Sequence, residues 1–277
     1  MSQLGIHITN DPSSRKRIVA LIGILFAVVP CELRAAAIFL NPAPYLALDN
    51  ALPGAGTAVS PFVGLQFSFF HLETFEDDEF NTPGVTDVGG NVIGPPGGVT
   101  DPVDADDGAI DGTGVNGHSM FGVATTGIRF DFSATQLGQL PTHVGIVWTD
   151  GPTTSNVTFE AFGATGASLG TRTELNLGDG NFRSGTAEDR FFGVIDLAGI
   201  SAIRIRSPGA LGASGTGVEV DHLQYGRQTI PEPNAFMLVA LGLAVLTISN
   251  QLLRKCNGRR TAVPDWHVDA QKPGEEF

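Results

Sequence analysis

Carboxylates are the chemistry this sequence offers most of, and they come in bunches. The densest run is Asp104-Ala105-Asp106-Asp107-Gly108-Ala109-Ile110-Asp111. Calcium takes about six to eight oxygen ligands, and close-spaced aspartates around a turn-forming glycine can supply several of them. Asp104, Asp106, Asp107 and Asp111 are therefore a candidate calcium loop. The run is not an EF-hand. Aligned on Gly108, it keeps Asp107, Ile110 and Asp111 in place, but Val103, Ala105 and Gly114 stand where further ligands belong, and no helices flank it. The plainer alternative is a solvated acidic loop whose aspartates cap turns.

A second bunch holds Glu73, Glu76, Asp77, Asp78 and Glu79, while Asp221 lies far along the chain. The layout is similar to β-jelly rolls of the carbohydrate-binding type, which bridge their first and last strands with structural Ca²⁺. That resemblance makes Glu73, Glu76 and Asp221 a second candidate calcium site. Against it, Glu219 and Asp221 are two apart and would share one solvent-facing side of a strand. The stretch Glu219-Val220-Asp221-His222-Leu223-Gln224 also resembles the Glu-x-Asp-x-x-Glu strand of laminarinase-like glycoside hydrolases. Here Gln224 occupies the acid/base position, and an amide cannot exchange a proton in double displacement. His71, His118, His143 and His222 show no zinc-ligand spacing and read as polar strand or turn residues. No nucleophile elbow or phosphate loop appears, so no catalytic residue is assigned.

Charge placement says more about where the chain goes. The sequence has 277 residues, 29 acidic against 16 basic, and a formal net charge of −13. Phosphate neutralisation needs clustered Lys and Arg, so a nucleic-acid binder with a basic face is excluded. Residues 38–230 carry 22 acids, seven arginines and no lysine, and both cysteines, Cys31 and Cys256, fall outside them. That middle has no thiol chemistry and must be held by packing, and by cations if its acids crowd.

The ends read as targeting segments. Arg15-Lys16-Arg17 precedes a short apolar run at 18–30, and Ala35 and Ala37 form a small-residue exit. This is the pattern of a signal peptide over 1–37, cleaved before Ile38. Near the other end, 235–253 is a 19-residue, mostly apolar stretch followed by Arg254, Lys255, Arg259 and Arg260. Its helical length of about 28 Å matches a bilayer core, and the basic flank places the C-terminus in the cytoplasm. Pro231-Glu232-Pro233, the apolar helix and the arginines, in that order, resemble the PEP-CTERM sorting signal of exopolysaccharide-making Gram-negative bacteria. The resemblance implies a membrane-protein partner, an exosortase protease, with cleavage near Pro231. Segment 231–260 is then a sorting and anchor segment. Residues 261–277, which that signal normally lacks, form a cytoplasmic tail.

The middle must position whatever acids act. β-rich runs recur at 65–75, 127–132, 143–149, 157–162, 167–174, 190–196, 200–207 and 218–225, separated by Gly and Pro turns. Only 134–140 and 197–199 hint at a helical turn. About eight strands without alternating helices predict an all-β, antiparallel, jelly-roll-like β-sandwich over 38–230. Residues 83–107, rich in Gly, Pro and Asp, are expected to form a long surface loop. NTPGVT (81–86), VDADDGAIDG (103–112), GIVWTDG (145–151), EDRFFGV (188–194) and VEVDHLQYG (218–226) are similar to phrases that recur in exported PEP-CTERM proteins. That resemblance carries no established activity.

The expectation is a non-enzymatic protein, exported and membrane-anchored with its ectodomain outside, then released to the cell surface or an exopolysaccharide matrix. Two alternatives stand beside it: a carbohydrate-binding module that holds polysaccharide, and a glycoside hydrolase with a site of another kind. Structural Ca²⁺ is the one expected cofactor.

Overall fold

The computed structural model describes residues 35–95, 100–151, 155–178, 181, 183–207, 217–229, 243–244, 246–249 and 251. Segment 1–34, the Pro231-Glu232-Pro233 motif and the basic residues after 253 lie outside them. Two compact units divide the chain, Met1–Gln228 and Thr229–Phe277. In the second, the described residues from 243 onward are helical and expose Leu243, Leu246 and Ile248. Among the described residues no helix is long and apolar enough to cross a membrane. Most of the span expected at 235–253 lies outside them.

The first unit is all-β, with two antiparallel sheets. The larger holds eight strands: β1 (Ile38–Phe39), β2 (Ala43–Pro44), β3 (Phe67–Glu73), β5 (Gly90–Ile93), β6 (Ser119–Val123), β8 (His143–Asp150), β11 (Arg190–Ile195) and β13 (Gly217–Gln228). The smaller runs β10 (Ser168–Leu177), β9 (Ser155–Gly163), β12 (Ile200–Arg206), β7 (Ile128–Phe132), β4 (Val85–Val88). A single helical turn, α1 (Ala134–Leu137), is capped by Ser133, whose side chain accepts from Gln136 N. The eight β-rich runs all become strands because their alternation matches the pleat. In Ile203-Arg204-Ile205-Arg206 the isoleucines are buried and the arginines half-buried.

Between the sheets lies the main core. Ile128, Phe130, Phe159, Ile203 and Ile205 of the smaller sheet meet Val144, Ile146, Trp148, Phe192 and Val220 of the larger. Trp148 is fully buried. A second, smaller core covers the outer side of the larger sheet. There Val147 of β8 and Phe191 of β11 pack against Tyr45, Phe62 and Val103, which belong to connecting segments. The larger sheet is thus buried on both faces, which explains why β8 and β13 read as almost continuous buried strands.

The 83–107 stretch is not a surface loop. It contributes β4 and β5, then passes Asp101, Val103 and Asp104 into the interior. Short strands such as VTDV and GNVI carry too few apolar residues to announce themselves. They form because β7 and β6 offer ladder partners. β1, β2 and β6 were likewise not evident from periodicity.

Candidate metal centre

The last strand, β13, builds the site through a break in its own alternation. Val218 and Val220 face the main core, and so do Leu223 and Tyr225. An even step changes to an odd one between them. The shift occurs where the β13–β8 register jumps, between Asp221 and Gln224, and His222 there has φ +44°. A bulge of this kind re-aims side chains. It sends Glu219, Asp221, His222 and Gln224 to the covered outer side, all 0–3 % exposed.

The covering chain is pinned to these acids by its own amides. Asp101 N donates to Glu219 Oε1 at 2.6 Å, and Val103 N to Asp221 Oδ2 at 2.9 Å. Ser119 Oγ, on β6, also donates to Glu219 Oε1. The following turn, Asp104–Asp107, is a single 3₁₀ turn closed by Gly108 at φ +87°. Asp104 points inward and clamps the loop. Its carboxylate accepts from Asp111 N at 3.0 Å, Gly112 N at 3.0 Å and Thr186 Oγ1 at 3.0 Å.

From here the acids separate into two groups with different chemistry. In the first, one coordinating atom each of Asp106, Asp221 and His222 lies within 4.8 Å of the others. A chain of donors runs into it. Ser60 Oγ donates to Gln224 Oε1, and Gln224 Nε2 to Tyr45 Oη at 2.9 Å. Tyr45 Oη therefore has its own proton to give to His222 Nδ1, 2.8 Å away, which leaves the imidazole proton on Nε2, 2.8 Å from Asp106 Oδ1. Burial holds the His222 pKa below its ordinary value, against the pull of Asp221 and Glu76, so the ring is neutral. Burial also pushes Asp106 up to about 7, with Glu76 and Asp107 adding and its hydrogen bond to Asp221 opposing. Asp221 is raised for the same first reason, with Asp106 next. An ionised Asp106 thus opposes the ionisation of Asp221.

The second group contains Asp101, Asp150 and Glu188, whose oxygens come within 4.8 Å of one another. Asp150 ends β8 and is the ladder partner of Glu219. Glu188 and Asp189 come just before β11, and the last pair of the β8–β11 ladder is Arg190↔Trp148. Both strands thus deliver acids to one end of the sheet. Asp189 is 1 % exposed, and neither of its oxygens has a hydrogen-bond partner among the described residues. Burial raises its pKa well above the ordinary carboxylate range, and Asp101, Glu188, Asp221 and Asp104 raise it further, in that order. Arg190, the base next to Asp189 in sequence, gives its guanidinium to the main-chain oxygens of Ala187 and Asp189.

The structure does not gather the residues expected as a calcium loop around one point. Asp104 clamps amides and Asp106 faces His222. Asp107 and Asp111 are exposed and accept from Ala109 N and Thr113 N two residues on. The strand-bridging set is also dispersed. Glu73 accepts from Phe75 N, and Glu76 takes His118 N and faces its ring. Asp221 lies under the 101–106 segment. Glu219 and Asp221 do share a side, but it is covered rather than solvated. Asp101, Asp150, Glu188, Asp189 and His222 were missed as a group because four separate stretches supply them. The signal that could have found them is that Asp150, Glu188, Asp189 and His222 each sit inside a quoted phrase, with Asp101 just ahead of VDADDGAIDG.

No protein-family model and no curated protein matches this chain. Among solved structures it is similar to a CBM61 module bound to β-1,4-galactotriose, at 12 % identity over 56 % of this chain and 95 % of that one, with a TM-score of 0.27. It is also similar to the CBM22-1 xylan-binding domain of Xyn10C from Paenibacillus barcinonensis, at 14 % identity over 60 % and 99 %, with a TM-score of 0.32. An arabinose-bound MgGH51 α-L-arabinofuranosidase overlaps 68 % of this chain and 32 % of its own, at 12 % identity and a TM-score of 0.24.

Proposed function

We propose that this chain is an exported, non-enzymatic, jelly-roll-like β-sandwich protein, delivered to the cell surface or an exopolysaccharide matrix by an exosortase that reads Pro231-Glu232-Pro233. In this reading residues 1–37 are the signal peptide, 235–253 the membrane anchor and 261–277 the cytoplasmic tail. The observation that carries it is the position of a boundary. The sandwich unit ends at Gln228, three residues before the motif. A sorting signal placed there can be cut without touching a strand. Expression in an exosortase-containing host tests the reading. Replacing Pro231, Glu232 and Pro233 with alanine leaves a membrane-bound, unprocessed precursor. Equal release of the variant and the wild type contradicts it.

A second reading, polysaccharide binding, is favoured by one groove. A cleft of about 490 Å³ is lined by His71, Glu73, Thr74, Glu76, Asp77, Asn81 and Thr82. Carboxylates and amides along a groove are the groups that hold sugar hydroxyls, and Asn81 is already oriented by donating to Asp77 Oδ2 at 2.7 Å. Affinity electrophoresis of the exported protein in gels containing different polysaccharides tests this. Retardation that Asn81→Ala abolishes supports the groove. Mobility unchanged in every gel rejects it.

A further inference from the structure

We propose that Asp101, Asp150, Glu188 and Asp189 form a buried binding site for one hard divalent cation, Ca²⁺. The donor set is all carboxylate oxygen, which suits Ca²⁺ and offers zinc neither nitrogen nor sulfur. Oxygens of three of these residues already stand within 4.8 Å of one another. That spacing is what opposed sides of a shared ion require when each metal–oxygen distance is about 2.4 Å. The independent observation is Asp189. A buried carboxylate is ordinarily satisfied by donors, yet both oxygens of Asp189, which directly follows Glu188 of that group, lack one among the described residues, and Asp101 and Glu188 oppose its charge. A dication turns that repulsion into attraction and completes the missing contacts.

The neighbouring Asp106–Asp221–His222 group is not a second ion site. His222 Nε2 carries a proton toward Asp106, and its other nitrogen accepts from Tyr45, so the imidazole has no lone pair for a metal. The two groups share one wall, the Asp101–Val103 segment, whose amides bind Glu219 and Asp221. An ion on Asp101 would therefore fix the cover of the second core as well as the ends of β8 and β11.

The test uses the full-length chain in detergent, with Ca²⁺ and then Tb³⁺ as probes, and Mg²⁺ as comparison. Titration after chelation should give one tight Ca²⁺ equivalent and a Tm rise of about 5–10 °C at a hundredfold excess over Kd. Asp189→Asn should weaken Ca²⁺ at least tenfold and, by removing an unsatisfied charge, should melt above wild type in EDTA. Glu188→Gln should also weaken Ca²⁺ at least tenfold, which keeps the test open should Asp189→Asn fail to fold. The doubly substituted Asp107→Asn, Asp111→Asn chain should bind like wild type. Identical melting in EDTA and Ca²⁺ overturns the proposal. So does unchanged Ca²⁺ affinity in both Asp189→Asn and Glu188→Gln, or loss of the equivalent in the 107/111 variant alone.

Discussion

His222 Nε2 lies 2.8 Å from Asp106 Oδ1, tying the last strand to a turn 116 residues earlier in the chain. Both side chains are almost fully buried, at 3 % and 6 % exposure. The contact closes a run of hydrogen bonds that starts at Ser60 and passes through Gln224 and Tyr45. Each member has one role, because each neighbour's donor is already committed. A network satisfied in this way specifies how the covering layer sits on the sheet.

Tyr45→Phe breaks that run in the middle. Gln224 Nε2 loses its acceptor and His222 Nδ1 its donor, both out of reach of water. Leaving buried polar groups unsatisfied costs about 1–3 kcal/mol. Chemical denaturation of the variant should show a loss in that range. A stability within about 0.5 kcal/mol of wild type would mean that the wiring is wrong.

The Asp106–Asp221 pair predicts how stability follows pH once cations are chelated. Asp106 has its pKa pushed up to about 7 in the fold, and Asp221 is raised too. Unfolded, both release their protons near pH 4. The folded state thus holds more protons between those limits, and stability is lost as pH rises through the folded values. In EDTA, Tm should fall between pH 5 and pH 8. Asp106→Asn should flatten that fall. A Tm that rises over this interval in EDTA would contradict the sign.

Asp104 is predicted to be a structural clamp and not an ion ligand. Asp104→Ala releases Asp111 N, Gly112 N and Thr186 Oγ1 together, a loss on the order of 3 kcal/mol. The loss should be the same in EDTA and in Ca²⁺. A loss seen only with Ca²⁺ would move the ion into the 104–111 loop.

The sandwich was legible because eight runs alternate with the pleat and are closed by turn residues. Trp148 and the isoleucines of β12 could be placed in the core on that basis alone. What could not be read was the covering layer. Tyr45, Phe62 and Val103 lie in segments without periodicity, and they pack on Val147 and Phe191 only after the larger sheet exists. The bulge at His222 hid the rest. Straight alternation pairs Glu219 with Asp221 but puts His222 opposite, whereas the strand turns His222 and Gln224 to the same side as the acids. Bunched aspartates raised the expectation of a cation site. The loop candidates, Asp104, Asp106, Asp107 and Asp111, were neighbours in sequence, while the acids that converge come from the ends of β8 and β11 and from the segment at Asp101 between β5 and β6.

Gly145 carries a further consequence of the second core. It pairs with Gly193 across the β8–β11 ladder, and a Cβ there would be driven into the Phe191 ring. Gly145→Ala should destabilise by about 1–3 kcal/mol, as overpacking does. The paired variant Gly145→Ala, Phe191→Leu should recover part of that loss in the same denaturation assay. No recovery would show that the strain lies elsewhere.

The proposed ion site can be tested most directly by diffraction from crystals of the protein grown with Tb³⁺, read as an anomalous difference map. The account predicts one strong peak about 2.3–2.6 Å from carboxylate oxygens of Asp101, Asp150 and Glu188, with Asp189 beside it. A peak seated instead among Asp104, Asp107 and Asp111, or a map empty at the Asp189 end of the sheet, would contradict it.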